Sequence, residues 1–304
     1  MKHVSILIVA YNSQKRTNQC LRSLQEIIHS SFDYTVLVID NGSQEPFTLS
    51  RDFNEKKFQV VRSDANLGFT GGNNLGLHTA IERFNSDYVL LLNNDTTVDP
   101  NFLELLFQVA EEDPTAGLVS PKIYFTKGME FHSASYKRSD LGKVLWYAGG
   151  SIDWEHLAAF HRGVDEVDRG QFSEQTESDF ATGCCVLIRR EILEKVGYLD
   201  KKYFLYLEDV DLSVRAKQFG YGIRYCDNAL VWHDNAGSSG GSGSNFHIYY
   251  QLRNRLFFFF QYGSLRTRIN VIRLFVEKAL KGSPFERQAL WHVLTLQSGK
   301  QLIV

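Results

Sequence analysis

Asp95 closes the run Tyr88-Val89-Leu90-Leu91-Leu92-Asn93-Asn94-Asp95, in which five apolar or aromatic residues pass straight into three polar ones. Open α/β sheets bind ligands in the crevice outside the carboxyl ends of their strands. A carboxylate set there can hold a cation against a phosphate; Asn and Asp equally favour a plain turn. Asp40-Asn41, and the loop holding Asp64 and Asn66, end other strand-like runs in the same way. Such clustering at one sheet edge points to a nucleotide-type ligand. Asp40 could accept from a base ring N–H or a ribose hydroxyl, or simply cap a helix or close an Asx turn. Glu208-Asp209-Val210-Asp211 comes after the aromatic stretch Tyr203-Phe204-Leu205-Tyr206-Leu207. Acids suit the first turn of a helix, and a carboxylate beside an aromatic cleft wall can also serve as a general base. His233, after Val231-Trp232, reads alone as a satisfied surface residue. Paired in space with Asp95 it makes an N,O site for a divalent ion. Arg253 suits bidentate phosphate contact, or a solvated helix face flanked by the phenylalanines at 257–260.

The elements that must position these residues emerge from periodicity. Residues 4–10 and 34–39 are nearly unbroken apolar runs, as strands buried on both faces read. Helical spacing over 16–30 lies between them, making a βαβ unit with a right-handed crossover. A shorter strand is expected at 58–62, then the glycine-rich stretch from Gly68 to Gly76. That stretch could bring backbone close to a phosphate or sugar, or serve packing and turns only. It lacks the GxGxxG spacing and the lysine of a P-loop. Helices are expected over 73–84, 101–112, 190–196 and 208–219, and strands at 88–92, 117–124, 180–189 and 223–225. Residues 125–178 lose periodicity and read as an irregular insertion with short strands, carrying Trp146, Trp154, His156 and His161. The Gly/Ser tract at 238–244 reads as a flexible loop, with helices from about 246 onward.

Composition bounds the class. The 304 residues are 43% hydrophobic and 22% charged, an ordinary globular balance. A formal net charge of −2 argues against a nucleic-acid partner. Cys20, Cys184, Cys185 and Cys226 form no CxxC pair and read as buried thiols in a reducing, cytoplasmic setting. The N-terminus has no secretory pattern, and no run of 18 apolar residues spans a membrane.

Several strings occur together: Ile6-Leu7-Ile8-Val9-Ala10-Tyr11-Asn12, Val38-Ile39-Asp40-Asn41-Gly42-Ser43, Asn66-Leu67-Gly68-Phe69 with Gly71-Gly72-Asn73-Asn74, and Leu91-Leu92-Asn93-Asn94-Asp95. Thr182 to Arg190, Phe204 to Asp211, Trp232-His233 and Arg253-Asn254 continue the series. In this order and spacing, from about residue 3 to about 260, the chain resembles the inverting GT-A glycosyltransferases of family 2. It is most similar to the rhamnosyltransferase-type branch that builds bacterial cell-surface polysaccharides. The resemblance implies a Rossmann-like, mostly parallel α/β sheet with helices on both faces. It implies a catalytic domain over 1–245, with 125–180 as an acceptor-side insertion, and a C-terminal helical region over 246–304.

By the same resemblance Asp40 binds the base of a nucleotide-sugar, and Asn41, Asn66, Gly68, Asn73 and Asn94 join it in holding the donor. Asn93-Asn94-Asp95 stands where the family has DxD, with Asp95 and His233 holding Mg²⁺ or Mn²⁺ on the diphosphate. Asp209, beside Glu208, is the general base, and Arg253 meets the diphosphate. Two departures stand out. The first DxD acid is Asn93, and the QxxRW pattern of processive synthases is absent, which favours transfer of a single sugar. The expected donor is dTDP-L-rhamnose, and the acceptor a glycan or polyprenyl-diphosphate-linked sugar at the cytoplasmic membrane face. Arg266, Arg268, Arg273, Lys278 and Lys281 among Phe and Leu suit a membrane-surface helix or, equally, a homodimer contact or a packing element. Two alternatives stay open at this point: a sugar-phosphate nucleotidyltransferase, which would want a glycine- and base-rich first βα turn, and a non-catalytic glycan-binding protein.

Overall fold

The alternating side chains of the first strand, β1 (Lys2–Ala10), meet two different cores. Val4, Ile6 and Ile8 face one and Leu7 the other, all fully buried. A strand sealed on both faces needs helices on both sides. On the Ile6 side lie α1 (Gln14–Gln25), through Cys20, Leu21 and Leu24, and α3 (Phe102–Glu112), through Phe102, Leu103 and Leu106. On the Leu7 side lie α2 (Gly68–Phe84), α4 (Arg190–Lys195) and α5 (Glu208–Gln218), through Leu77, Ile192 and Leu212. The structure, a computed structural model, describes residues 1–234 and 243–303. Most of the Gly/Ser tract therefore lies outside the described residues.

The remaining strands are β2 (Phe32–Asn41), β3 (Phe58–Ser63), β4 (Tyr88–Leu92), β5 (Thr96–Val98), β6 (Ala116–Phe125), β7 (Leu145–Tyr147), β8 (Gly150–Asp153), β9 (Ala158–His161), β10 (Cys185–Arg189) and β11 (Gly222–His233). Among the described residues the main sheet runs β3-β2-β1-β4-β10-β6-β11-β5, with β7 beside β6. It is mixed rather than mostly parallel. β3, β2, β1 and β4 are parallel, but β10 is antiparallel to both β4 and β6. The cause is local: the insertion begins at the carboxyl end of β6. The chain re-enters the sheet from that end, so Cys185 pairs with Leu92 and no crossover helix is needed.

Several elements differ from their sequence reading: α1 ends at Gln25, β10 begins only at Cys185, β5 is absent from that reading, and α2 and β11 differ in ways that bear on the site. α2 starts at Gly68, not near Asn73, so the glycine-rich stretch is the helix itself. A side chain at Gly72 would meet Val9 Cγ1 at 2.9 Å, and one at Gly76 would meet Leu7 Cδ1 at 2.9 Å. These glycines let the helix lie close on the sheet. β11 runs on to His233, because an irregularity between Cys226 and Leu230 shifts its pairing with β6 without ending it.

The insertion forms a two-stranded sheet, β8 with β9. Then come α6 (Asn245–Tyr262), α7 (Leu265–Lys281) and α8 (Pro284–Leu294), whose N-caps Ser244, Ser264 and Ser283 each accept a backbone N–H from the first turn. Tyr249, Tyr250, Leu256, Phe258 and Phe259 of α6 join the same buried cluster as α1 and α3. Of the four consecutive phenylalanines, Phe258 and Phe259 are buried and Phe260 is half exposed. Beyond α8 the chain turns back on itself: the Gly299 N–H donates to Lys202 O at 2.7 Å, and Gln301 N–H donates to Tyr250 Oη at 3.0 Å.

Candidate active site

The carboxyl ends of β1, β2 and β4 open onto a cleft of about 980 Å³. Nine of the residues singled out from sequence line it: Asn41, Asn66, Gly68, Asn73, Asn94, Asp95, Glu208, Asp209 and His233. The element that brings Asp95 to His233 is β5. Its antiparallel pairing sets Thr96 opposite His233, and the Asp234 N–H donates to Asp95 O at 2.9 Å. His233 Nε2 then stands 3.2 Å from Asp95 Oδ1, both residues being buried. Burial works against the Asp95 charge, but the hydrogen bond and charge of His233 prevail and hold its carboxyl below the usual range. His233 Nδ1 is buried without a hydrogen-bond partner. An imidazole and an ionised carboxylate, with a ring nitrogen still unpartnered, fit a borderline divalent ion such as Mn²⁺. Among the described residues no third His, Cys, Asp or Glu joins them, so the remaining ligands would come from substrate and water.

Asp209 opens α5. Its Oδ2 accepts the Gly183 N–H at 2.8 Å, and its Oδ1 accepts the Val210 N–H at 2.8 Å. Burial raises its carboxyl above the ordinary value despite those bonds. Glu208 is raised much further, by burial first and then by the neighbouring Asp209 charge; Thr70 Oγ1 donates to it at 3.4 Å. An ionisable carboxyl poised in a cleft above its usual range is what a general base requires. Asp211, the third acid, is structural. Tyr203, Tyr262 and Arg215 all donate to it, and it is fully buried.

Part of the wall is aromatic. Trp146, Phe160, His161 and Phe180 of the insertion line the cleft, as do Phe204 and Phe246. Trp146 packs edge-on against His161 at 4.3 Å and His233 at 4.5 Å. Burial pushes the His161 imidazole down to about 4, so it is neutral at pH 7 and belongs to this wall.

Asp40 and Arg253 do not join the cleft. Asp40 is fully buried and accepts from the Ser43 and Phe47 backbone N–H groups at 3.1 and 3.0 Å and from Arg62. Burial opposes its charge, yet those bonds keep the carboxyl below its usual range. Its oxygens close the turn after β2, whereas its neighbour Asn41 lines the cleft. Arg253 is fully buried as well. It donates to Gly299 O at 2.8 Å, to Lys202 O and Tyr203 O at 3.0 Å each, and to Asn254 Oδ1. Its guanidinium is engaged by these backbone carbonyls and by the Asn254 side chain, away from the cleft lining.

The residue that sequence reasoning missed is Lys300. Among the described residues it is the one lysine or arginine that lines the cleft. Its ammonium donates to Asn66 O at 3.0 Å and lies 6.0 Å from the Phe204 ring centre. Only the returning tail puts it there, and nothing local in the sequence signals that return.

Comparison with known proteins agrees with this geometry. Residues 2–257 match the family described as Glycosyltransferase like family 2. The chain is 23% identical over 252 residues to the low-salt glycan biosynthesis hexosyltransferase Agl10 of Haloferax volcanii, covering 83% of this chain and 74% of that one. It is 27% identical over 246 residues to the N-acetylglucosaminyl-diphospho-decaprenol L-rhamnosyltransferase of Mycobacterium tuberculosis, covering 77% of each. In structure it is similar to GalNAc-T7 with UDP, GalNAc and Mn²⁺, with a TM-score of 0.65 at 15% identity. That match covers 98% of this chain and 55% of the other, and bears on the GT-A fold. The chain belongs to glycosyltransferase family 2 and is a glycosyltransferase.

Proposed function

We propose that this family 2 glycosyltransferase moves one sugar from a nucleotide-sugar to a hydroxyl of a glycan or lipid-linked acceptor, with inversion and with a divalent metal. The observation that carries the reading is the placement of Asp209 in the same cleft as the Asp95–His233 pair. Asp209 takes the proton of the acceptor hydroxyl as its oxygen attacks the anomeric carbon. The bond from that carbon to the nucleoside diphosphate breaks, and its electron pair leaves with the diphosphate. Asp95 and His233 would hold the metal, Mn²⁺ or Mg²⁺, which supplies charge stabilisation for the leaving diphosphate. Lys300 adds a cation on the Asn66 side of the cleft, the role that Arg253 cannot fill. The aromatic wall from the insertion takes the acceptor sugar, since aromatic faces present apolar area to a ring while their edges stay polar.

The donor we favour is dTDP-L-rhamnose and the acceptor a polyprenyl-diphosphate-linked sugar on the cytoplasmic side of a membrane. The name of the mycobacterial relative supports both the rhamnose and the lipid-linked acceptor; that of the haloarchaeal relative supports a hexose more generally. A thermal-shift series with UDP-, GDP- and dTDP-sugars, with and without Mn²⁺, tests the reading. One nucleotide-sugar is expected to stabilise the protein only when metal is present. Asp209→Asn is expected to keep that stabilisation and lose about 10²–10⁴-fold in turnover. Stabilisation by none of the donors, or normal turnover in Asp209→Asn, would overturn it.

A further inference from the structure

Helix α7 carries a face that nothing in the described chain covers. Leu265, Ile269, Ile272, Val276 and Leu280 are 78, 43, 55, 50 and 72% exposed. At 3.6 residues per turn these positions fall within an arc of roughly 80°. The buried residues of the helix, Thr267 and Val271, lie on the opposite side. The stripe therefore points straight out of the protein, and isolated exposed leucines do not account for so regular a row. Its flanks are basic. The helix has five cationic residues, Arg266, Arg268, Arg273, Lys278 and Lys281, against one acid, Glu277, in a chain whose formal net charge is −2. Arg268 borders the stripe on one side, over the ring of Phe260 at 5.7 Å, and Arg266 and Arg273 border it on the other. Lys278 is paired with Glu286 at 2.8 Å on the body side.

We infer that this face docks on an anionic lipid surface, with the aliphatic stripe in the acyl boundary and the flanking Arg268 and Arg273 at the phosphate level. Charge chooses the occupant. A second copy of the chain would bring this cation-rich helix against an identical one, whereas an anionic membrane satisfies stripe and rims together. No described helix is long and apolar enough to cross a bilayer, so the contact is one of surface. The position also suits the proposed transfer to a lipid-linked acceptor, and to that extent the inference rests on that reading. Arg266 pairs with the Glu155 side chain, and Asn270 Nδ2 donates to Glu155 O at 3.0 Å. Glu155 sits in the turn between β8 and β9, and β9 carries Phe160 and His161 into the cleft wall. One hairpin thus joins the lipid-facing helix to the acceptor side.

The test is co-sedimentation of the full chain with vesicles of phosphatidylcholine alone and of phosphatidylcholine mixed with phosphatidylglycerol, with no sugar present. Binding to the mixed vesicles, weakened by salt, is expected. Arg268→Glu with Arg273→Glu is expected to lose the preference for anionic lipid, each removed cation costing about fivefold in partition. Ile272→Asp with Val276→Asp is expected to lose vesicle binding at least about tenfold. Both variants should keep the wild-type melting temperature, because all four side chains are solvent-facing. Absence of wild-type binding to any vesicle overturns the inference. So does a concentration-dependent dimer that Ile272→Asp dissociates while vesicle binding is absent. Because no donor or acceptor enters the assay, its failure is separate from failure of the proposed transfer.

Discussion

Glu208 and Asp209 are adjacent carboxyls that both hold their protons above the usual range, and the difference between them is instructive. Asp209 has two backbone N–H partners and is raised by burial alone. Glu208 adds repulsion from Asp209 to its own burial. For Glu208 the folded state binds more protons than the unfolded chain at any pH between 4.5 and its raised native value. Stability therefore falls as pH rises through that window. Glu208→Gln keeps the size and the reach to Thr70 and removes the charge. It is expected to melt higher than wild type at pH 7, with the advantage shrinking as pH is lowered toward 4.5; a lower melting point at both pH values would contradict this. Turnover has the opposite sign, since Asp209 as the proposed base must be ionised to accept a proton. The acidic limb of the rate profile should lie above the ordinary Asp value of about 3.9. Lys300 offers a second test at this scale. Lys300→Ala is expected to raise the donor KM several-fold with little change in kcat, because a cation on the ground-state diphosphate contributes to both states alike. An unchanged KM would place the diphosphate elsewhere. That Asp95, Asp209 and His233 would share one cleft was legible, because ionisable groups are costly to bury without a partner. Asp40 and Arg253 were legible as polar residues, but not as ones whose donors and acceptors are already satisfied by nearby backbone. Sequence names the group and leaves its partner open.

The segment at 202–207 shows how an element can be set by residues far along the chain. Phe204, Tyr206 and Leu207 all have left-handed backbone, at φ of +64, +71 and +69°. Such a conformation costs a non-glycine residue about 1–2 kcal/mol, so the loop needs outside support. Asn254 Nδ2 supplies it, donating to Tyr203 O at 3.0 Å, Leu205 O at 2.7 Å and Tyr206 O at 2.9 Å. Arg253 adds its bonds to Lys202 O and Tyr203 O. The next residues are Glu208 and Asp209, so this clamp seats the proposed base. Asn254→Ala leaves the loop without its amide donor, at about 1 kcal/mol per bond. It is expected to lower the melting temperature and cut kcat at least about tenfold. It should also shift the acidic limb of the rate profile, since Asp209 would no longer rest squarely on the Gly183 N–H. A variant of unchanged kcat and pH profile would show that the clamp is merely structural. The string Arg253-Asn254 stands out in the sequence, but that both side chains reach back to the carbonyls of residues 202–206 is visible only in the fold. The start of α2 is hidden in the sequence for a related reason: glycine is a poor helix former by intrinsic propensity. The spacing of Gly72 and Gly76, four residues apart, was the available sign of one helix face lying flat on the sheet.

At the scale of the whole molecule, the question is whether the sheet region over 1–245 can stand without the C-terminal helices. The buried side chains argue that it cannot. Phe258 stacks on Trp154 of the insertion at 5.7 Å, and Tyr250 stacks on Phe204 at 5.3 Å. Tyr249, Tyr250, Leu256, Phe258 and Phe259 are each at most 1% exposed. Burying one such side chain is worth about 1.5–3 kcal/mol, so together they stabilise the fold by an amount comparable with the whole net stability of a typical protein, about 5–15 kcal/mol. Their loss would uncover Trp154 and Phe204 and remove the clamp on the strained loop in one cut. A chain ending at residue 245 is therefore expected to show no cooperative thermal transition and no metal-dependent stabilisation by any nucleotide-sugar. Ending the chain at residue 295 is the milder case. The core aromatics and Asn254 remain, while Lys300 and the Gly299 carbonyl that engages Arg253 are gone. That chain should melt cooperatively, somewhat lower than wild type, and reproduce the raised donor KM of Lys300→Ala. If the 1–245 chain instead melted cooperatively and bound nucleotide-sugar with metal, the C-terminal helices would be an accessory to a self-sufficient sheet, and their role would narrow to the lipid-facing surface of α7.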